Sequence, residues 1–575
     1  MTDPRAAALQ ERKIAYFSME IGLRADMPTY SGGLGILAGD TVRTAADMEV
    51  PMVAVTLLAR KGYFHQKLDP SGEQIEKADI WKVEQHLREL DARVTVLIED
   101  REVRVRAWQY DTEGTTGATV PVLYLDTDMP ENEEQDRTLS HYLYGGDLRY
   151  RMCQEYVLGV GGLRMLRRLG HEAIDRFHMN EGHAAFLILQ LLDEELNRAG
   201  GRRVKTEHLD NVRRKCVFTT HTPVEAGHDK FPLKMVRKVL GKHRLWDIEK
   251  KLSGNSDTLN MTYLALNFSH YVNGVSKQHG RVSQEMFSSY QIDAITNGVH
   301  AGTWTAQPFR KLLDRYIPAW RQDNFSIRYA LNIPAEEVWN AHTKCKQKLM
   351  RYVARETKVK LDPDVFTIGF GRRATSYKRA DLVLRDLDRL REIASKAGPF
   401  QLVFGGKAHP KDEAGKTLIQ HVFEAGERLA PDVRIVYLPN YDIEVAQLMI
   451  PGVDVWLNTP QPPHEASGTS GMKAALNGVP SFSILDGWWI EGHVENLTGW
   501  AIGTKIRGGK SKPRKDRSAK DAAALYDKLE NVVIPMFYQY RQQYIRIMLF
   551  ALALNGSFFN TQRMLQEYLL KAYMR

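Results

Sequence analysis

The chain has little cysteine: three residues in 575, Cys153, Cys216 and Cys345. An odd number at such wide spacing forms neither a disulfide framework nor a zinc-ligand pattern, and it points to a reducing compartment. No other metal-ligand cluster is evident, so no metal is expected. Long apolar runs are missing as well. The opening MTDPRAAALQERKIAYFSME holds none long enough for a signal peptide, and no later stretch is long enough to span a membrane, which makes the cytoplasm the expected location. There is no internal repeat. Neither sign of charge dominates: 79 Lys and Arg oppose 70 Asp and Glu, a net charge of +9. So small an excess suits an anionic ligand such as phosphate without requiring one. The tract KIRGGKSKPRKDRSAKD (505–521) is basic, but it is rich in Gly, Pro and Ser and has no interleaved aromatics. It reads as a solvated loop rather than a nucleic-acid surface.

What is present is ordinary globular composition, 43% hydrophobic and 26% charged. The chain is long enough for more than one domain and for cores that need no covalent staples. Short apolar, β-branched runs alternate with amphipathic stretches throughout. In the first half they are KIAYFSME (13–20), VPMVAVTLL (50–58), ARVTVLIED (92–100), TVPVLYLDTD (119–128), CVFTTHT (216–222) and QIDAITNGV (291–299). In the second half they are VFTIGFG (365–371), FQLVFGGKA (400–408), VRIVYLP (433–439), VDVWLNTP (453–460) and VPSFSILDG (479–487). Such runs, separated by helical patterns, read as buried strands of parallel sheets. The expected class is α/β with two doubly wound domains, and ligands belong in the cleft at the carboxyl ends of the strands. The boundary falls in the polar, helical stretch 305–362, where 339–356 reads as a helix leading into the second domain. The expected units are 1–325, 326–550 and a C-terminal helix in 551–575 that packs back toward the first, with Gly556 as a stop between the last two helices.

Three strand-to-helix junctions bear chemistry. SGGLGILAGD (31–40) places glycines before a helix-periodic segment, so backbone amides at a helix start can approach an anion, although a Gly-rich turn needs no ligand to explain it. FGRRATSYKRAD (370–381) follows a strand and opens an expected helix with Arg372, Arg373, Lys378 and Arg379. Arginine grips phosphate oxygens bidentately and lysine supplies a point charge. Cations at a helix start oppose its dipole, which weakens the alternative of a merely charged surface. EASGTSGMKAALNG (465–478) forms a small-residue nest from Ser467 to Gly471, flanked by Glu465 and Lys473. By chemistry alone Lys473 reads equally as a phosphate ligand or a Schiff-base amine, with a surface helix lysine as the bland alternative. His183, His221, Asn297 and Tyr441 occupy further strand-end turns, where structural and functional roles are both open.

Together with VNGVSKQHG (272–280) and NGSFFNTQRMLQEYLLKAYM (555–574), these runs resemble the glycogen and α-glucan phosphorylase family, especially its short bacterial and archaeal branch, from about Lys13 to about Tyr573. The resemblance implies a GT-B fold, two Rossmann-like domains facing a central cleft. It implies phosphorolysis of terminal α-1,4-linked glucose to α-D-glucose 1-phosphate with retention, and a pyridoxal 5′-phosphate cofactor that contributes its phosphate rather than its aldehyde. Lys473 is then the Schiff-base lysine, and Arg373 and Lys378 hold substrate phosphate. Thr469, the Gly33 amide and Arg372 lie around the phosphates. Glu465, Ser467, Gly468 and Asn297 bind hydroxyls of the terminal glucose. The His221 backbone carbonyl and the loop at Leu34 face its ring, and Tyr441 and Trp304 line the cofactor pocket. The implied partners are a glycogen, starch or maltodextrin chain and inorganic phosphate, and the family favours homodimers.

Two departures limit what carries over. Arg372 stands where the family usually has lysine, and HYLYGGDLRYRMCQEY (141–156) is shorter than the family's gating loop. Regulation by phosphorylation or nucleotides is therefore not carried over from the family. The rival on the same scaffold is a retaining sugar-nucleotide glucosyltransferase similar to glycogen or starch synthase. Those enzymes place a second glutamate eight positions after the first, and here that position is Lys473.

Overall fold

The computed structural model describes residues 13–201, 203–224, 227–241, 257–504 and 517–574. The N-terminal residues before Lys13 and most of the basic tract, 505–516, lie outside the described residues. Among the described residues no helix is long and apolar enough to cross a membrane.

Two large sheets organise the α/β chain. The second has six strands in the spatial order Arg434–Leu438, Phe400–Gly405, Phe366–Gly371, Val455–Asn458, Ser481–Ile484 and Gly499–Ile502, all parallel. The chain runs outward from Phe366–Gly371 in one direction and then restarts at Val455–Asn458 in the other. The crevice beyond the carboxyl ends of those two strands is a topological switch point, where open α/β sheets place their ligands. Both strands are buried along their whole length, as expected for a sheet covered by helices on both faces.

The first sheet has nine strands, in the order Asp293–Ala294, Tyr271–Gly274, Cys216–Thr219, Arg176–Asn180, Ile14–Ser18, Met52–Leu57, Thr119–Asp126, Arg101–Glu113 and Arg88–Ile98. Its switch point lies between Ile14–Ser18 and Arg176–Asn180. This sheet corrects the expectation of parallel strands throughout: Arg101–Glu113 runs antiparallel to both neighbours. Residues 101–106, REVRVR, alternate charge with valine, and Val103 and Val105 are buried while Glu102 and Arg104 are exposed. A strand with one wet face lacks the continuous apolar run that marks a parallel one. Glu99 and Asp100, both at positive φ, close the hairpin.

Two helix expectations also change. After Phe366–Gly371 the chain makes only a 3-10 turn, Ser376–Lys378, and a second at Leu382–Leu384 before a helix begins at Leu387. The cations at 372–379 therefore sit in a loop, and no helix dipole opposes them. Gly556 does not stop a helix. It is buried in a π-helical segment, Ala551–Gly556, and the break comes at Asn560, whose side chain caps the next helix by accepting the Arg563 amide at 3.0 Å.

Several contacts join the sheets. In the last helices Met564, Leu565, Tyr568 and Tyr573 share a core with Leu37, Ala38 and Val42 from the helix Gly33–Asp47. The hairpin His65–Leu68 and Gln74–Lys77 reaches the second sheet, where Gln66 donates to the Gly406 carbonyl at 3.0 Å and Gln74 donates to that of Ala408 at 3.0 Å. Helix Ala335–Thr357 is tied to the second sheet by His342 and Lys346, 2.8 and 2.6 Å from the buried Asp454 carboxylate.

Candidate functional site

The site assembles at the two switch points. Strand Phe366–Gly371 ends in glycine because the Tyr441 ring lies over it: a Cβ on Gly371 would come within 2.8 Å of the Tyr441 hydroxyl. Directly after it, Arg372 donates to Glu465 Oε1 at 2.8 Å, and Lys378 donates to Glu465 Oε2 at 2.6 Å. Glu465 follows the neighbouring strand Val455–Asn458, so this bridge spans the crevice. Burial alone would raise the Glu465 carboxyl, but Arg372 and Lys378 outweigh it and hold it down at about 2. Gly468, at φ +79°, keeps the next turn close, with its Cβ direction 3.5 Å from Arg372 Nη2 and 3.1 Å from Glu465 Oε1.

Arg373 points the other way, to the first sheet. Its guanidinium donates to Ser31 Oγ at 3.2 Å and passes beside Gly32. The Gly-rich loop therefore faces the cation loop. Two of its amides are already used: Glu20, just past strand Ile14–Ser18, accepts the Ser31 and Gly32 amides at 2.5 and 3.2 Å and the Tyr144 hydroxyl at 2.8 Å. At Gly33 nothing lies within 4 Å of where a Cβ would be, so the first turn of helix Gly33–Asp47 borders open space. Leu34 is half-buried in that first turn rather than in a loop.

Lys473 lies in the short helix Ser470–Ala475, which Thr469 precedes as N-cap residue. It is 7% exposed, which excludes the surface-lysine alternative. Its amine sits 3.8 Å from the centroid of the Trp304 ring. Burial lowers the amine to about 8 against the opposing pull of Asp40. Asp40, from helix Gly33–Asp47, in turn accepts the Trp304 indole N–H at 2.8 Å.

Near the first sheet, His221 follows strand Cys216–Thr219. Its ring pairs with Asn180 Oδ1 at 2.6 Å, its amide donates to Glu181 Oε2 at 2.7 Å, and burial lowers the imidazole to about 3, so the ring is neutral at pH 7. His183 meets Asp229 at 3.4 Å. The hydrogen bonds of His221 stay at the carboxyl end of the first sheet. Asn297 Oδ1 and Ser467 Oγ are buried without a hydrogen-bond partner. Each such atom costs about 1–3 kcal/mol unless a ligand group pairs with it.

The expected residues thus form two direct groups, Arg372–Lys378–Glu465–Gly468 and Lys473–Trp304, with Arg373 linking the first to the Gly-rich loop. Glu20, Asp40, Glu181 and Asp486, whose carboxyl accepts the Glu465 amide at 2.9 Å, escaped the sequence reasoning. Three of them follow strand ends, a position that could have flagged them; Asp40 inside a helix offered no signal.

The residues around Lys473 fit a pyridoxal phosphate. A buried amine of lowered pKa with an indole plane beside it matches an aromatic aldehyde.

The family model for carbohydrate phosphorylases matches residues 245–540. Over 98% of its length the chain is 40% identical to a maltodextrin phosphorylase from Thermococcus litoralis, of which it covers 71%. It is 38% identical, over 92% of its length, to a glycogen phosphorylase from Mycobacterium tuberculosis, covering 66% of that protein. A glycogen phosphorylase from Aquifex aeolicus is 34% identical, with 98% of this chain and 86% of that one aligned.

Proposed function

This chain belongs to the carbohydrate phosphorylase family and is an α-glucan phosphorylase; we propose that it uses phosphate to remove the terminal α-1,4-linked glucose of a glycogen- or maltodextrin-type chain, giving α-D-glucose 1-phosphate, and that Lys473 holds pyridoxal 5′-phosphate. The observation that carries the cofactor assignment is the buried Lys473 amine, lowered to about 8 beside Trp304. A glutamate at that position, as in the synthase-like rival, could not bind an aldehyde. The finer architecture belongs to the same proposal: a GT-B fold with domains 1–325 and 326–550, and 551–575 packed back on the first. So do the cytoplasmic location and a homodimeric state.

Phosphorolysis of an acetal passes through a state with oxocarbenium character, so an anion must be held close beneath the sugar. Arg373 and Lys378 bind that phosphate, with Arg372 beside them. When bound, the cofactor supplies a second phosphate whose second pKa, near neutrality, suits it to acid–base work. Thr469 and the Gly33 amide would hold that phosphate, and Arg373 and Lys378 would offset the repulsion between it and the substrate phosphate.

Glu465, held ionised, is acceptor-only and orients sugar hydroxyls. Ser467 Oγ, Asn297 Oδ1 and the Gly468 turn complete the glucose pocket, and the two buried atoms gain the partners they lack. The His221 backbone is anchored through its amide to Glu181 and through its ring to Asn180, so its carbonyl can face the developing positive charge at the anomeric carbon. Leu34 closes the sugar side, and Tyr441 and Trp304 would wall the cofactor.

The test is phosphate-dependent release of glucose 1-phosphate from maltodextrins of graded length. Release without added phosphate, or none from any length, refutes the reading. In the same assay Arg373→Ala is expected to raise the KM for phosphate about 10- to 100-fold, the loss of one or two charge-assisted hydrogen bonds, and to change the KM for glucan about twofold or less. Equal losses for both substrates would remove Arg373 from the phosphate role.

A further inference from the structure

Strand Ser481–Ile484 runs into Leu485, Asp486, Gly487 and Trp488, and the short helix Trp489–Gly492 follows. This connection passes behind the turn that bears Glu465 and Ser467. Asp486 is 3% exposed. Its Oδ2 accepts the backbone amide of Glu465 at 2.9 Å, and its Oδ1 accepts that of Gly487 at 3.0 Å. Trp488 then donates its own amide to the Ser467 carbonyl at 3.0 Å. The connection therefore grips the turn at both Glu465 and Ser467. Gly487 allows the approach: it sits at φ +53°, and a Cβ there would fall 2.3 Å from the Ser467 carbonyl oxygen and 3.1 Å from Glu465 Cγ. Further along, Glu491 accepts the Thr296 hydroxyl at 2.9 Å and the Lys277 amide at 2.9 Å. Thr296 is the residue before Asn297, so the same connection also touches the glucose side of the first sheet.

We propose that Asp486 is a positioning residue for glucan phosphorolysis, clamping the Glu465 backbone so that the Glu465 carboxylate and the Ser467 hydroxyl are presented together to the sugar. The proposal rests on the glucan-phosphorylase reading and adds a residue that does not itself touch substrate. The chemistry of the side chain supports it. Two amides converge on Asp486, and only a carboxylate offers two acceptor atoms and no donor; an asparagine would turn an NH2 against one of them. The buried site disfavours the charge on this carboxyl, and its geometry still brings both amides to its two oxygens. Burial pushes it up to about 7, the nearby Glu465 charge pushes the same way, and the two amides and Lys378 pull back. What orders the turn is the double acceptance, of the Glu465 amide by one oxygen and the Gly487 amide by the other.

The experiment compares holoenzyme variants D486N, E465Q and the double variant, with cofactor absorbance recorded for each. D486N is expected to load cofactor fully yet lose about 10- to 100-fold in kcat/KM for maltodextrin. Its further penalty in the E465Q background is expected to shrink to about twofold or less, because residues that act as one unit do not add. Amide hydrogen exchange in the peptide containing Glu465 is expected to quicken at least about tenfold in D486N. Activity within about twofold of wild type, full multiplication of the two penalties, or unchanged exchange overturns the proposal. If D486N fails to fold, G487A disturbs the same contact from the other side and is expected to show the same loss; full activity in G487A overturns the clamp. A wild-type enzyme that releases no glucose 1-phosphate refutes the functional reading instead, while the exchange measurement still decides the clamp.

Discussion

Lys473→Ala is expected to abolish phosphorolysis and cofactor binding together, with activity falling about a thousandfold or more, equivalent to at least ~4 kcal/mol of transition-state stabilisation. The physical reason is the setting of the amine. An ordinary lysine is almost wholly protonated at neutral pH and cannot attack an aldehyde. Burial beside Trp304 lowers Lys473 to about 8, so near pH 8 about half of it is neutral. Uptake of pyridoxal phosphate by enzyme stripped of cofactor should therefore accelerate as pH rises through about 8, and visible absorbance of the bound chromophore reads it. Lys473→Ala protein with normal absorbance and turnover would sink the assignment. Lys473→Arg is a useful partner variant, because it keeps the charge and removes the nucleophile; it is expected to be as inactive as the alanine variant.

Glu465→Ala has the second large effect, on stability as well as activity. The change leaves Arg372 and Lys378 buried and unpaired, since both lose the carboxylate at 2.8 and 2.6 Å. Breaking one side of a buried ion pair costs roughly 3–5 kcal/mol, which denaturant unfolding at pH 7 would register. Added phosphate should restore part of the loss, because an anion can take the place of the carboxylate, so phosphate should raise the Tm of the variant more than that of the wild type. The pH dependence has a definite sign. The folded-state pKa of about 2 lies below the ordinary 4.5. The contribution of Glu465 to stability is therefore fully present above about 4.5 and is lost as pH falls toward 2. The stability gap between wild type and Glu465→Gln should close over that window. A gap that stayed constant from pH 7 to pH 3 would mean that Glu465 is not paired as described.

Much of the fold was legible because its signals are local. Runs such as VFTIGFG and FQLVFGG are buried on both faces, and a continuous apolar run of that length has few other fates. Arg101–Glu113 was missed for the opposite reason: one face is wet, and REVRVR reads as charge. The helix expected after Gly371 failed because its residues have more pressing partners. Arg372 and Lys378 turn to Glu465, and Arg379 turns to the Thr459 and Pro460 carbonyls, at 2.9 and 2.8 Å. At Gly556 the expected stop failed because the residue is buried within a continuous helical segment, Ala551–Gly556, beside Leu476 and Leu552.

The sequence by itself determined the α/β class, the run of strand-end junctions that bear chemistry, and the spacing of Glu465, the small-residue nest and Lys473. All of these are written in windows of ten or so residues, where side-chain periodicity and glycine placement act directly. Only the tertiary structure decided that Arg372 and Lys378 share one carboxylate, that Glu20 already occupies the Ser31 and Gly32 amides, that Asp486 holds Glu465 from behind, and that Lys473 is stripped of its ordinary basicity. Desolvation and charge pairing depend on what surrounds a group in space, and here the partners come from 11 to 433 positions away along the chain.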